Sequence, residues 1–204
     1  MKTVSWHLAC VVCPKTYAGD DLRYRCDCGE VLDVVHDLDA PSGLDFATCD
    51  ARRSSRSVLD RSGVWRFREW VLPLPEAFVT TKPEGNTNLY CSERIGAYTG
   101  ARGVSLKHEG ENPTGSFKDR GMTTGVSVAR WMGMNAVACA STGNTSASMA
   151  SYAAQAGLDA FVFIPDTDVA LGKLAQAIAY GARTIRIRGD FDAAMHLVEQ
   201  VCEK

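Results

Sequence analysis

From Val104 onward the chain keeps one rhythm: a short apolar run, a turn, then a longer stretch with apolar residues at helical spacing. Strand-like runs fall at 104–107, 136–140, 160–164 and 184–187, and helical stretches follow at 117–132, 145–155, 169–180 and 191–202. A helix between two strands returns the chain to begin the next strand in the same direction. The expected fold class is therefore α/β, a doubly wound and mostly parallel sheet. Gly133, Gly157 and Gly181 stand just past the first three helices, where glycine closes a helix most easily. Met149, Tyr152, Ala153 and Ala156, at helical spacing, read as packing.

Two turns in that rhythm carry chemistry. Lys118 falls in the first turn of the 117–132 helix, with Ser116 or Thr114 available as N-cap. Free backbone N–H groups and the positive end of the helix dipole gather there, so a neutral amine is easier to reach, and such an amine can condense with an aldehyde. The second turn, Ser141-Thr142-Gly143-Asn144-Thr145-Ser146, joins the 136–140 strand to an alanine-rich helix. Hydroxyls and N–H groups converge at such a helix start and suit a carboxylate or phosphate. If the 104–107 strand belonged to the same parallel sheet, both turns would lie on its carboxyl edge, where open α/β sheets bind ligands.

The run Asn112-Pro113-Thr114-Gly115-Ser116-Phe117-Lys118-Asp119-Arg120-Gly121, followed by Ser141 to Ser146, resembles the threonine synthase family, pyridoxal-phosphate enzymes of fold type II (tryptophan-synthase-β-like). Glu84-Gly85-Asn86-Thr87 is similar to a further family segment, with Pro83 where a glycine is usual and Asn88 where a proline is usual. The runs 169–176 and 189–194 also resemble family segments, so the likeness covers nearly the whole chain. It implies that Lys118 holds pyridoxal 5'-phosphate as a Schiff base and then moves protons. It implies that Asn144 bonds the cofactor's 3'-oxygen and that Ser141, Thr142 and Thr145 receive the substrate carboxylate. The implied substrate is O-phosphohomoserine, converted with water to threonine and phosphate. Lys107 could face the substrate phosphate or stand solvated, and Asp119 and Arg120 could act in the site or pin the loop by an ion pair and cap bonds. The family is longer than this chain, and the resemblance places the cup for the cofactor phosphate and the partner of its ring nitrogen in a further half. The 204 residues alone are accordingly expected to be inactive. A related lyase (a cysteate synthase, or a threonine or serine dehydratase) and a non-catalytic binding module stay open as alternatives.

The first part of the chain is organised differently: a knuckle over 1–40, a connector over 41–85, and the pyridoxal-phosphate α/β domain over 86–204. Cys10-x2-Cys13 and Cys26-x-Cys28 are separated by twelve residues. Four thiolates so spaced can close a tetrahedral zinc site in a zinc-ribbon-like unit too small to fold on apolar burial; a lost metal site or a disulfide pair are the alternatives. His7 and His36 flank it as surface residues.

Arg52, Arg53, Arg56 and Arg61 in the connector are expected on a solvated face. With net charge -2 and no aromatic platform beside them they do not read as a nucleic-acid site. The segment 63–72, with Trp65, Phe67 and Trp70, is expected to pack on the catalytic body until Pro73 and Pro75 end its helix. No apolar run approaches membrane-spanning length. No signal peptide precedes the cysteines, and Cys49, Cys91, Cys139 and Cys202 are scattered, which points to a reducing, cytoplasmic setting. Nothing in the residues fixes the oligomeric state, and a homo-oligomer stays open.

Overall fold

The computed structural model describes residues 6–36, 45–166 and 171–202. In chain order the elements are β1 (Trp6–Cys10), β2 (Thr16–Ala18), β3 (Leu32–His36), α1 (Phe46–Arg52), α2 (Val58–Arg61), α3 (Arg68–Val71), β4 (Leu89–Cys91), α4 (Glu93–Thr99) and β5 (Ser105–Lys107). There follow α5 (Lys118–Trp131), β6 (Ala136–Ala140), α6 (Asn144–Ala156), β7 (Asp159–Pro165), α7 (Leu171–Ala179), β8 (Arg183–Ile187) and α8 (Phe191–Cys202). The expected start of the third helix, Val169 and Ala170, lies outside the described residues.

The strands β6, β7 and β8 form a parallel sheet in that order. Its central strand is apolar on both faces, as a parallel strand covered by helices must be. Ala160, Val162 and Ile164 pack with Met149, Ala150 and Ala153 of α6 and Ala177 of α7. Phe163 turns the other way, onto Ala194 and Val198 of α8. Helices therefore cover both faces, which is the doubly wound arrangement. Gly157 caps α6 in the left-handed region, and Gly133 and Gly181 also take positive φ, at 73° and 88°.

The strand at 105–107 departs from expectation. It pairs antiparallel with β4 in a two-stranded sheet of its own, and all three of its residues are exposed. Ser-Leu-Lys is too short and too polar to be buried on two faces, so it serves as an edge pair. The shared sheet edge expected to align the Lys118 loop with the Ser141 loop is thus absent, and what ties α6 to the start of α5 is the bond from Ser148 Oγ to Asp119.

Helix α5 turns Asp119, Thr123 and Ser127 inward at i, i+4 and i+8, all of them fully buried. Thr123 Oγ1 receives the Trp65 indole N–H at 2.8 Å and donates to Thr80 O at 2.7 Å. Ser127 Oγ accepts from Thr80 N at 2.8 Å and donates to Thr123 O. Trp65, which has no exposed surface, anchors a second core with Leu59, Val64, Leu72 and Leu74, against which Val128 and Trp131 pack. The segment 63–72 packs on the body as expected, although Trp70 stays 39% exposed.

Arg53, Arg56 and Arg61 are exposed, but Arg52 is not the solvated side chain expected. Its guanidinium binds both oxygens of Glu69, at 2.8 and 2.6 Å, and the Arg66 carbonyl at 2.6 Å. A planar fork with a carboxylate in reach forms a paired contact that serine-rich composition does not reveal.

Gly63 and Gly85 pass with their backbones touching. A Cβ on Gly63 would lie 2.5 Å from Asn86 N and 2.8 Å from Gly85 Cα, both main-chain atoms that cannot swing aside. Gly63→Ala is therefore expected to lower stability by about 2 kcal/mol or more, as overpacking against backbone does, read as a lower urea midpoint at unchanged slope.

Candidate functional site

Lys118 is the first residue of α5, after a loop whose every turn is tied down. Gly115, at φ 78°, closes a turn in which its N–H donates to Asn112 O at 2.8 Å. Asp119 reaches back to accept from Thr114 N at 2.7 Å and Thr114 Oγ1 at 2.6 Å, and from α6 it receives Ser148 Oγ at 2.5 Å. From α7, Lys173 Nζ and Gln176 Nε2 both donate to Thr114 O, at 3.1 and 3.3 Å. The N-cap is Phe117 with no side-chain cap bond, not Ser116 or Thr114 as expected; Ser116 Oγ accepts from Lys118 N at 3.1 Å, and Thr114 is bound by Asp119. The loop is thus held from three helices at once. Lys118 itself is half-buried, with Nζ 4.9 Å from the Phe117 ring centroid. Among the described residues that amine meets no hydrogen-bond acceptor.

Asp119 and Arg120 do not pair with each other. Arg120 pairs with Glu109, Nε and Nη2 each 2.8 Å from one carboxylate oxygen, and Glu109 also accepts from Thr87 Oγ1 and Asn112 Nδ2. The Arg120 guanidinium first, and then these hydrogen bonds, hold the Glu109 carboxyl at about 2. A carboxyl depressed in the folded state lends stability that is complete above its unfolded value and fades as pH falls through the folded one. Acid should therefore loosen this clamp between about pH 4.5 and about pH 2. Melting curves taken across that range should show Glu109→Gln losing less stability on acidification than the wild type.

Glu84 lies at the far end of the same web. Its carboxylate has no exposed surface and accepts from Ser62 Oγ, Thr81 Oγ1, Lys82 N and Tyr152 OH, the last at 2.7 Å from α6. Burial first, and the Glu84 charge second, push the Tyr152 hydroxyl well above its ordinary value, so it stays a donor. The neighbouring Gly85 N donates to Asn112 Oδ1 at 2.8 Å, which joins the Glu84 centre to the Lys118 loop.

The second turn begins α6. Asn144 is exposed and Ser141, Thr142 and Thr145 are half-buried. No side chain caps this helix; Ser141 Oγ accepts from Gly143 N at 3.2 Å and Ser146 Oγ donates to Gly143 O at 2.8 Å. Uncapped first-turn N–H groups beside hydroxyls are donors in want of an anion, and an unpaired amine stands on the adjoining helix. Each has its own chemistry: the amine can condense with a carbonyl, and the helix start suits an anionic group. Lys107, by contrast, places its ammonium on the Thr87 carbonyl, on β5.

The four knuckle cysteines come together in the structure: all their Sγ atoms lie within 4.8 Å of one another. His7 and His36 are not members of that cluster. No helix among the described residues is long and apolar enough to cross a membrane.

Sequence reasoning missed Glu84, Glu109, Lys173 and Gln176 as supports of the site. For Glu109 the signal was within reach, since it stands eleven positions before Arg120 across a Gly- and Pro-containing loop.

Residues 80–204 match the family described as "Pyridoxal-phosphate dependent enzyme". The threonine synthase of Methanocaldococcus jannaschii is 41% identical over 195 residues, covering 96% of this chain and 46% of its own length. That of Methanosarcina acetivorans is 44% identical over 200 residues, covering 98% and 47%. The chain thus spans about half the length of these curated relatives. Among solved structures, the processed form of threonine deaminase isoform 2 from Solanum lycopersicum aligns at 22% identity with a TM-score of 0.53, over 65% of this chain and 35% of that one. That likeness is one of fold.

Proposed function

Because this chain belongs to the pyridoxal-phosphate dependent enzyme family, we propose that it supplies the lysine-bearing half of a threonine synthase, acting on O-phospho-L-homoserine and water to give L-threonine and phosphate. The observation that carries the reading is the unpaired Lys118 amine on a loop clamped from α5, α6 and α7, in a chain more than 40% identical to threonine synthases along nearly its whole length. Bound pyridoxal phosphate would supply an electron sink for charge developing beside the substrate amine.

The chain's own residues do the rest. Lys118 Nζ would carry the cofactor covalently and, once displaced by the substrate amine, take and return protons at the substrate carbons. Asn144 would bond the ring oxygen of the cofactor. Ser141, Thr142 and Thr145, with the uncapped N–H groups of α6, would orient the substrate carboxylate. Lys107 would meet the substrate phosphate; an ammonium has three donors, so one can remain on the Thr87 carbonyl. A reducing cytoplasm is the setting in which the Cys10, Cys13, Cys26 and Cys28 cluster would stay available to a metal. Alone, the 204 residues are expected to release no phosphate, since the curated relatives are about twice as long.

The test uses a polypeptide of the relatives' full length that begins with this chain. Given O-phosphohomoserine it should form threonine and phosphate in equal amounts. Formation of a keto acid and ammonia from serine or threonine, with phosphohomoserine untouched, would replace this reading with that of a dehydratase.

A further inference from the structure

We propose that Cys10, Cys13, Cys26 and Cys28 hold one zinc ion, and that the knuckle so fixed braces the C-terminal half of α5, the helix that starts at Lys118. The nearest sulfur pairs are Cys13–Cys26 at 3.5 Å and Cys10–Cys28 at 3.6 Å. A tetrahedral ion with bonds of about 2.3 Å needs sulfurs roughly 3.8 Å apart, so shifts of a few tenths of an ångström complete the site. A disulfide needs about 2.05 Å and would require a larger collapse. Backbone N–H groups of Val12 and Cys13 point at Cys10 Sγ from 3.4 and 3.3 Å, and Tyr17 OH lies 3.1 Å from Cys26 Sγ. Donors of this kind stabilise thiolates and orient them as ligands. An all-thiolate set selects a soft ion of the zinc class over magnesium or calcium.

The knuckle has reason to need the ion. Around an antiparallel sheet ordered β2-β1-β3 it buries Leu8 and Cys26 but leaves Val11, Val12 and Leu22 at 55%, 71% and 64% exposure. So little apolar burial cannot order the unit by itself, and metal binding is then its folding energy.

The brace follows from what the ordered knuckle touches. The Trp6 ring of β1 lies 6.2 Å from the Trp131 ring of α5 and joins the core that includes Val128. Gly19 also closes on the indole, so near that a Cβ there would stand 2.7 Å from its ring atoms. Arg25 adds an ion pair of 2.6 Å to Glu199 of α8. Trp6 thereby contacts both the knuckle's own turn and the end of α5, and the metal ligands flank the strands β1 and β2 that set its position.

The test needs no catalytic assay. Protein purified without chelators should carry about one zinc per chain by elemental analysis, and Cys10→Ser should lose it. Wild type that is metal-free and gives no thiolate–cobalt band with added cobalt would overturn the site, as would two disulfides found by mass spectrometry. For the brace, chelation should speed hydrogen exchange in 124–132 by about tenfold or more while 144–156 stays protected. Trp6→Ala should retain the zinc and loosen the same 124–132 stretch. If the metal leaves, or Trp6 is removed, and 124–132 exchanges as before, the brace is wrong.

Discussion

Lys118→Ala should abolish the absorbance that pyridoxal phosphate gains on joining an amine, and should lower phosphate release by roughly 10⁴-fold or more, since one group is removed from both covalent attachment and proton transfer. Neighbouring amines are poorly placed to substitute. Lys173 Nζ is committed to Thr114 O and Gln176 Oε1, and Lys107 Nζ to Thr87 O. Folding should be nearly untouched, because Lys118 makes no ion pair among the described residues and its helix is held by Asp119. The measurement is a titration of the full-length protein with pyridoxal phosphate, followed by absorbance, with melting curves in parallel. Absorbance that survives the substitution would move the covalent role to another lysine.

Glu84→Ala should be the most damaging single change to stability, at about 3–5 kcal/mol, enough to leave a marginal domain largely unfolded. The substitution strands the hydroxyls of Ser62, Thr81 and Tyr152 and the N–H of Lys82 inside the protein, without water to replace the acceptor. It also frees Ser62, whose hydroxyl accepts from Val64 N and Trp65 N and so shapes the turn that seats Trp65. Glu84→Gln should cost less, because one acceptor oxygen remains while the new amide must face donors. Denaturant unfolding of both variants measures this. A loss below about 1 kcal/mol for the alanine variant would show that the carboxylate is a spectator.

Much of this could be read from the residues. The 136–140, 160–164 and 184–187 strands and their helices follow directly from periodicity, because a strand buried on both faces and an amphipathic helix each leave a strong local pattern. The knuckle cysteines declare themselves by spacing. What escaped was whatever depends on partners far along the chain. Leu106 alternates like any strand residue, yet only pairing with Tyr90 decides that its strand runs outside the parallel sheet. Arg52 looks solvated until Glu69 is found beside it.

The inward row on α5 has a bearing on how this helix can change over generations. Asp119, Thr123 and Ser127 answer partners on other segments: Asp119 binds Thr114 and Ser148 of α6, Thr123 the indole of Trp65 and the Thr80 carbonyl, and Ser127 the Thr80 N–H. Sliding or rotating the helix by one residue would silence all three conversations together, so the register is indexed like a key with three teeth. Drift at any one tooth is blocked unless its counterpart drifts too. Pairs such as Asp119 with Ser148, or Thr123 with Trp65, should therefore show strong non-additivity in double-mutant cycles, and Lys118 inherits its fixed place from a lock of buried side chains.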